Sequence, residues 1–238
     1  AASEIVDLCR RRGLSLILDA AHMSGTRLDG RHVGSESDVA VFSFHAVKNL
    51  PTADGGMVCF PDPASDAAAR QWTWLGIDKD TYSRTTSDAA YKWYYDVVHV
   101  GFKYHGNSIM AGVGLVSLKY LDQDNDHRRR LAAWYDDALS GAPGIERIPI
   151  APRCESSRHL YQVMVERRDE VMVALNREQI FPGVHYRDNG VYSMYRDQPP
   201  CPNARRASDR LISLPMHLQL DRGDVTRVAE ALTAAVRR

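Results

Sequence analysis

Residues 16–30 read LILDAAHMSGTRLDG, where a short apolar run ends at Asp19 and a histidine follows three residues later. Apolar runs of this length are typical of strands that are covered on both faces of a sheet. The segments VAVFSF (39–44) and MVCF (57–60) repeat the pattern, and an amphipathic helix over residues 2–12 precedes the first run. This order of a helix and buried strands predicts a layered α/β sheet.

The rest of the chain predicts a long helical region and then a second, smaller unit. Residues 61–103 predict a short helix and a long ordered excursion, and the apolar spacing becomes helical from residue 107 to about residue 139. The stretch PGIERIPIAP (143–152) predicts a boundary that divides the chain into domains 1–142 and 143–238.

The sequence of the second domain predicts a mixture of short strands and helices. We expect strands at 161–165 and 184–186 and helices near 168–178, 203–212 and 222–236. Asp221 is the expected N-cap of the last helix. The predicted fold class is therefore α/β, with a layered large domain followed by a smaller α+β C-terminal domain.

The composition excludes several classes of protein. Thirty basic and thirty acidic residues give no long-range field that would favour nucleic acid or an anionic membrane. No apolar stretch reaches the roughly 18–20 residues that a membrane helix requires, and an export pattern is absent from the start of the sequence. The cysteines form no CxxC pair and the histidines lack zinc spacing. We expect a cytoplasmic protein with reduced thiols and no metal.

A lysine follows the second buried run. The stretch SFHAVKNLPTADGG (43–56) contains Lys48 between Phe44 and Leu50. Apolar walls would remove water from its ammonium group, as an amine that attacks a carbonyl requires. The alternative is a loop lysine whose ammonium reaches water, and for Lys48 by itself the sequence favours that alternative.

Asp19 and Ser43 change this balance. Each ends a buried run, and residues leaving the carboxyl ends of strands converge on one crevice. Pyridoxal phosphate requires an amine for its aldehyde, an anion beside its ring nitrogen and donors to its phosphate. Lys48, Asp19 and Ser43 supply these three groups. The alternatives are that Asp19 caps a helix beginning at Ala20, and that Ser43 is an ordinary strand-end hydroxyl.

The pair LDAAH (18–22) and SFHAVKNLPTADGG resembles the signature of the DegT/StrS-type nucleotide-sugar aminotransferases, which are fold-type I pyridoxal phosphate enzymes. The segments WLGIDKDTYSRT (74–85), WYYDVVHVGFKYHGNSIMAGVGL (93–115) and ISLPMHLQL (212–220) are similar to the same family, in the family's order. The resemblance covers essentially the whole chain. Family members begin far upstream of the Asp19 motif, so the resemblance implies a fold-type I large domain that lacks its N-terminal portion, in a fragment or a truncated homologue.

The resemblance implies roles for residues of the first two motifs. Lys48 would carry the covalent imine link to pyridoxal phosphate, and Asp19 would pair with the ring nitrogen. Ser43 would bind the phosphate. Ala21 and His22 would line the cofactor pocket, with His22 near the phenolic oxygen of the ring. The alternative for His22 is a hydrogen bond to backbone only.

Three later residues also acquire roles from the resemblance. Asn107 would reach the cofactor phosphate across a dimer interface, and His185 and Tyr186 in GVHY (183–186) would lie near the sugar nucleotide. For all three, a purely structural role remains open. Gly106 and Ser108 stand where the family usually has Met and Asp, which implies a looser loop around Asn107.

The implied reaction moves an amino group, from glutamate in most of the family, to a keto-deoxysugar carried by a nucleoside diphosphate. A homodimer is the implied assembly. Lys48 is intact, which argues against the dehydratase branch, where histidine replaces the lysine. Two alternatives remain: a non-catalytic aminotransferase-like partner subunit, and another pyridoxal phosphate reaction such as sugar dehydration.

Overall fold

The computed structural model describes residues 2–79 and 94–237. The chain forms two compact units, one of Ala1–Ser24 with Arg31–Leu121 and one of Gly25–Gly30 with Asp122–Arg238. The units divide within a long helix, and the domain boundary at residue 142 stays a prediction. The excursion expected within 61–103 falls partly on residues 80–93, which lie outside the described residues.

The first unit is built on a three-stranded sheet, whose strands lie in the order β1 (Ile17–Asp19), β4 (Val39–Ser43) and β5 (Gly56–Cys59). Helix α1 (Ala2–Arg12) precedes β1 (Ile17–Asp19), which pairs in parallel with β4 (Val39–Ser43). Strand β4 pairs in antiparallel fashion with β5 (Gly56–Cys59). The three apolar runs of the sequence therefore form one sheet, as predicted.

In the described structure these strands are not covered on both faces. Ile17 is 67% exposed, Met57 is 50% exposed, and no residue of β5 is buried. An apolar sequence indicates that a strand tends to be buried. The described residues of this unit nevertheless leave the side chains of Ile17 and β5 exposed.

In the described part of the first unit, two further helices follow. Helix α2 (Pro63–Thr73) begins after Asp62, whose Oδ1 accepts the Ser65 N–H at 2.8 Å, and the hydrogen bonds from Ser65 hold the pKa of Asp62 below its ordinary value. Helix α3 (Ser108–Ala138) begins in this unit and continues into the second. None of the helices within residues 2–79 and 94–237 combines the length and the apolar character needed to cross a membrane.

The second unit contains an antiparallel sheet with the order β6-β8-β9, formed by β6 (Ile145–Arg147), β8 (Tyr161–Val165) and β9 (Leu211–Leu214). Side chains in β8 alternate between buried and half-buried, as expected of a strand with one core face. The short strands β2 (Arg27–Leu28) and β7 (Cys154–Glu155) pair with each other in this unit, and β3 (Arg31–His32) belongs to the first.

Three helices accompany the second sheet: α4 (Arg168–Arg177), α5 (Pro202–Arg210) and α6 (Arg222–Arg237). All three lie where the sequence places them, and two short 3₁₀ turns (Asn189–Val191 and Ser193–Tyr195) precede α5. The predicted cap of α6 is confirmed: Asp221 Oδ1 accepts the Asp224 N–H, and Asp224 Oδ2 accepts the Asp221 N–H, both at 3.0 Å. This reciprocal pair fixes the start of the helix.

The strand predicted at 184–186 is wrong. Gly183 forms an isolated bridge to Ser213 of β9, and the chain then leaves the sheet. The alternation of apolar residues in this segment reflects one anchoring point on the sheet and not a continuous ladder.

The core of the second unit joins α3, β8, β9, α4 and α6. Tyr135 and Tyr161 stack within it at 4.7 Å between ring centroids. Burial raises the pKa of both tyrosines, and a hydrogen bond to Asp136 adds to the effect at Tyr161. These groups stay neutral and act as packing residues.

Candidate active site

The register of β1 and β4 relates two of the predicted site residues. Asp19 lies opposite Val41 in the parallel pair, and Ser43 is two residues further along β4. Because side chains alternate along a strand, Val41 and Ser43 point to the same face, and Asp19 shares that face with its partner Val41. Asp19 and Ser43 therefore lie on one face of the sheet, at the carboxyl ends of neighbouring strands.

The carboxylate of Asp19 is held by the turn that follows it. Its Oδ1 accepts the Ala21 N–H at 3.0 Å, while the Ala20 N–H donates to the Val41 carbonyl at 2.8 Å. No helix begins at Ala20, where the chain enters a turn. Asp19 therefore does not cap a helix at Ala20. The residue is exposed, and its second carboxylate oxygen is not the one that accepts the Ala21 N–H.

Lys48 lies in the loop that joins β4 to β5. Backbone hydrogen bonds tie the two arms of this loop: Phe44 N–H to Gly55 O at 2.9 Å, Thr52 N–H to Phe44 O at 2.8 Å, and Ala46 N–H to Ala53 O at 3.0 Å. The Lys48 N–H donates to His45 O at 2.9 Å in the turn at the tip. The lysine is half-buried, and the closed loop fixes the position of its backbone.

Two buried polar residues of the loop, to which the sequence alone assigns no role, stabilise it from within. Asn49 and Thr52 are buried, and the Thr52 hydroxyl donates to the Asp54 carbonyl at 2.5 Å. Ala53 and Gly55 both adopt positive φ, at 75° and 114°. The turn that carries the lysine is thus specified by backbone conformation as well as by hydrogen bonds.

The first half of α3 packs on this loop. The Ser117 hydroxyl donates to Pro51 O at 3.2 Å, and a Cβ added to Gly114 would lie 3.0 Å from the Thr52 methyl group. A Cβ on Gly55 would lie 3.4 Å from Met110 Cε. The small residue at 114 allows this close approach, a role that helical spacing alone does not reveal.

Ser43 and His22 have local surroundings of their own. The Ser43 Oγ accepts the His45 N–H at 3.3 Å, which orients the hydroxyl at the start of the lysine loop. Ser43, His22 and Ala21 are all half-buried. The bond to the His45 N–H is the ordinary strand-end contact that the alternative for Ser43 predicts. Because the hydroxyl only accepts in this bond, it can still donate its proton to another group.

Asn107 caps α3. Its Oδ1 accepts the Met110 N–H at 2.9 Å, and its carbonyl accepts the Ala111 N–H at 3.0 Å. Asn107 thus has the structural role that the sequence left open. It precedes Met110, the residue that approaches Gly55 of the lysine loop.

His185 and Tyr186 belong to the second unit. Their rings meet edge to face at 5.1 Å between centroids, and His185 Nδ1 lies 2.9 Å from the Ser213 hydroxyl. The predicted site residues therefore fall into two sets: Asp19, Ala21, His22, Ser43, Lys48 and Asn107 in the first unit, and His185 and Tyr186 in the second.

The donor set of the first unit suits pyridoxal phosphate. A carboxylate and a hydroxyl share one face at adjacent strand ends, and an amine lies in the closed loop that follows the hydroxyl. Within residues 2–79 and 94–237, no three His, Cys, Asp or Glu side chains form a group that could hold a metal ion.

Comparison with known proteins gives consistent matches. A model of the DegT/DnrJ/EryC1/StrS aminotransferase family matches residues 2–233. The aminotransferase TlmJ from Streptoalloteichus hindustanus is 32% identical with a TM-score of 0.87, over 98% of this chain and 61% of that one. DesV from S. venezuelae, solved with a ketimine intermediate, is 31% identical with a TM-score of 0.87, over 100% and 62% of the two chains.

Spr1654 from Streptococcus pneumoniae is also similar, and its structures are in a PMP form and a PLP form. The PMP form is 28% identical to this chain with a TM-score of 0.86, over 94% of this chain and 59% of that one. The chain thus spans 59 to 62% of the length of these solved structures.

Proposed function

Because this chain belongs to the DegT/DnrJ/EryC1/StrS aminotransferase family, we propose that it acts as a pyridoxal phosphate-dependent sugar aminotransferase. The reaction moves an amino group, from glutamate, to a keto-deoxysugar carried by a nucleoside diphosphate. The observation that carries the proposal is the placement of Asp19 and Ser43 on one sheet face with Lys48 in the following loop.

Each of these residues has one task. Pyridoxal phosphate, when bound, supplies an electron-withdrawing ring that stabilises negative charge at the α-carbon of the amino donor. Asp19 would keep the ring nitrogen protonated through its carboxylate. Lys48 would hold the cofactor through its Nζ, and the same amine would serve as the general base that accepts a proton from the donor's α-carbon. Ser43 donates its hydroxyl proton to the phosphate.

The remaining residues bind and orient. Ala21 and His22 line the cofactor pocket, and Asn107 donates its side-chain N–H to the phosphate across a homodimer interface. His185 and Tyr186 bind the sugar nucleotide. We place the enzyme in the cytoplasm, where nucleotide sugars and glutamate are available.

An assay of the reaction tests this function. The full protein is supplied with pyridoxal phosphate, glutamate and a TDP- or UDP-linked keto-deoxysugar, and 2-oxoglutarate and the amino sugar are measured. We expect the two products in equal amounts. Loss of water from the sugar without a glutamate requirement would assign the protein to dehydration, and failure to bind pyridoxal phosphate would assign it to the non-catalytic partners.

A further inference from the structure

The segment GVHY (183–186) is anchored at one point of the second sheet. The Gly183 N–H donates to Ser213 O at 2.9 Å, and the Ser213 N–H donates back to Gly183 O at 2.8 Å. This two-way bridge fixes the backbone two residues before His185. The bridge thus places His185 beside β9.

Two side chains then hold His185 itself. Gln162 of β8 and Ser213 of β9 are direct cross-strand partners, so their side chains share a face. The Ser213 Oγ lies 2.9 Å from His185 Nδ1, and the Gln162 side-chain nitrogen donates to His185 O at 2.6 Å. Ser213 is 4% exposed, so its hydroxyl is held in a buried position.

The direction of these hydrogen bonds follows from their chemistry. A backbone carbonyl only accepts, so the Gln162 group that faces His185 O is the NH₂. The same NH₂ lies 3.5 Å from the Ser213 Oγ, which accepts from it. Of the described partners of the buried Ser213 hydroxyl, Gln162 is a donor and His185 Nδ1 can accept. We therefore assign the hydroxyl proton of Ser213 to the hydrogen bond with Nδ1, which puts the proton of the neutral ring on Nε2.

We propose that Ser213 and Gln162 are positioning residues that hold the His185 ring with its proton on Nε2, so that Nε2–H donates to an oxygen of the sugar nucleotide. This inference rests on the proposed function, which makes His185 a substrate-binding residue. A side chain that hydrogen-bonds to one ring nitrogen of a histidine fixes its tautomer, and so decides which ring nitrogen can donate to a ligand.

Gly183 supplies the space in which the ring lies. A Cβ added there would lie 2.8 Å from His185 Cε1 and 3.3 Å from Nδ1. The φ of Gly183 is outside the left-handed region, so alanine fits its backbone. Gly183→Ala therefore moves the ring without removing a hydrogen-bonding group.

The first test is ¹⁵N NMR of the full protein labelled at histidine, with the His185 signals identified by their loss in His185→Gln. We expect an unprotonated Nδ1 and a protonated Nε2 in the wild type. In Ser213→Ala the signals should move toward an average of two tautomers, and Ser213→Thr should restore them. A protonated Nδ1 in the wild type, or no change in Ser213→Ala, would overturn the proposal.

Ser157→Ala is the matched control. Ser157 is also a buried serine of the second unit, but its Oγ lies 3.0 Å from the Thr26 hydroxyl and its removal leaves the His185 contacts in place. We expect its His185 signals to match the wild type. A response in Ser157→Ala as large as that in Ser213→Ala would show a general loss of packing and contradict a specific positioning role.

Substrate binding provides the second test. We expect Ser213→Ala and Gly183→Ala each to raise the KM for the sugar nucleotide about tenfold, the loss of one well-placed hydrogen bond, while the KM for glutamate is unchanged. A shift of Nε2–H with TDP or UDP alone would assign the acceptor to the diphosphate, and a shift that requires the sugar would assign it to a sugar oxygen. No shift with either overturns the proposal.

The two proposals fail differently. If the wild type has the expected tautomer but no amination activity, the proposed function fails, and the positioning of the His185 ring by Ser213 and Gln162 stands without its substrate role. If the wild type is active and Ser213→Ala changes neither the tautomer nor the KM for the sugar nucleotide, only the positioning role fails.

Discussion

At the scale of single residues, Asp19 illustrates how one side chain serves structure and chemistry together. One carboxylate oxygen orders the turn through Ala21, and the charge of the group is the property that the proposed reaction uses. Asparagine keeps an acceptor oxygen for the Ala21 N–H but carries no charge. Asp19→Asn therefore separates the two roles.

We expect Asp19→Asn to fold as the wild type and to lose amination activity by about 100-fold or more, because a charge that stabilises the reacting system is removed. Stopped-flow rates with glutamate and thermal unfolding measure the two effects. Asp62→Asn is the matched control, since Asp62 also accepts a backbone N–H and asparagine caps helices as well as aspartate does. Full activity in Asp19→Asn would contradict the role of the charge.

At the scale of elements, Asn107 at the start of α3 has one observed role and one proposed role. Asn107 caps the helix, which the structure contains, and it binds the cofactor phosphate, which is proposed. The cap requires an acceptor oxygen, whereas the phosphate requires a donor. Aspartate satisfies the first requirement and opposes the second.

Asn107→Ala should lower the free energy of unfolding by about 1 kcal/mol, because the Met110 N–H loses its acceptor. Asn107→Asp should retain the stability and yet raise the Kd for pyridoxal phosphate about tenfold or more, because like charges then face each other. Urea unfolding and a cofactor titration measure these quantities. Unchanged cofactor affinity in Asn107→Asp would confine Asn107 to its capping role.

The elements also mark how far the sequence predicts the fold. Strand β8 and the cap of α6 were predictable because alternation at Tyr161, Val163 and Val165 and the acid at Asp221 are local signals. The sequence does not predict strand β9, because the strand follows Arg210 of α5 without a glycine or proline to mark the end of the helix.

For the candidate site, the sequence predicted that Asp19 and Ser43 end strands, but not that they share a face. That relation depends on the register of β1 against β4, which are joined by a long connection without a turn signal that fixes the pairing. The contacts of Ser117 and Gly114 with the lysine loop depend on helix packing, so no local pattern predicts them.

At the scale of the whole molecule, the two units differ in how much apolar surface they bury. In the described part of the first unit, the buried apolar residues are Ala20, Ala40, Leu50 and Leu121. The core of the second unit joins seventeen buried apolar residues. Since burial of apolar area is the main stabilising term in folding, the second unit should be the more stable of the two.

Hydrogen exchange followed by mass spectrometry measures this difference. Strands β4 and β8 are a matched pair, because each has five residues and is the central strand of a three-stranded sheet. We expect the amides of β8 to exchange at least about tenfold more slowly than those of β4, as follows from a difference in local opening free energy. Equal protection of the two strands would contradict the prediction.

The most direct test of the central claim is to locate the lysine that binds the cofactor. The full protein loaded with pyridoxal phosphate is reduced with borohydride, which makes the imine permanent, and its peptides are mapped by mass spectrometry. We predict the pyridoxyl group on Lys48, with loss of the visible cofactor band in Lys48→Ala and its retention in Lys119→Ala. Labelling of Lys79, Lys92, Lys103 or Lys119 in place of Lys48 would contradict the proposed site.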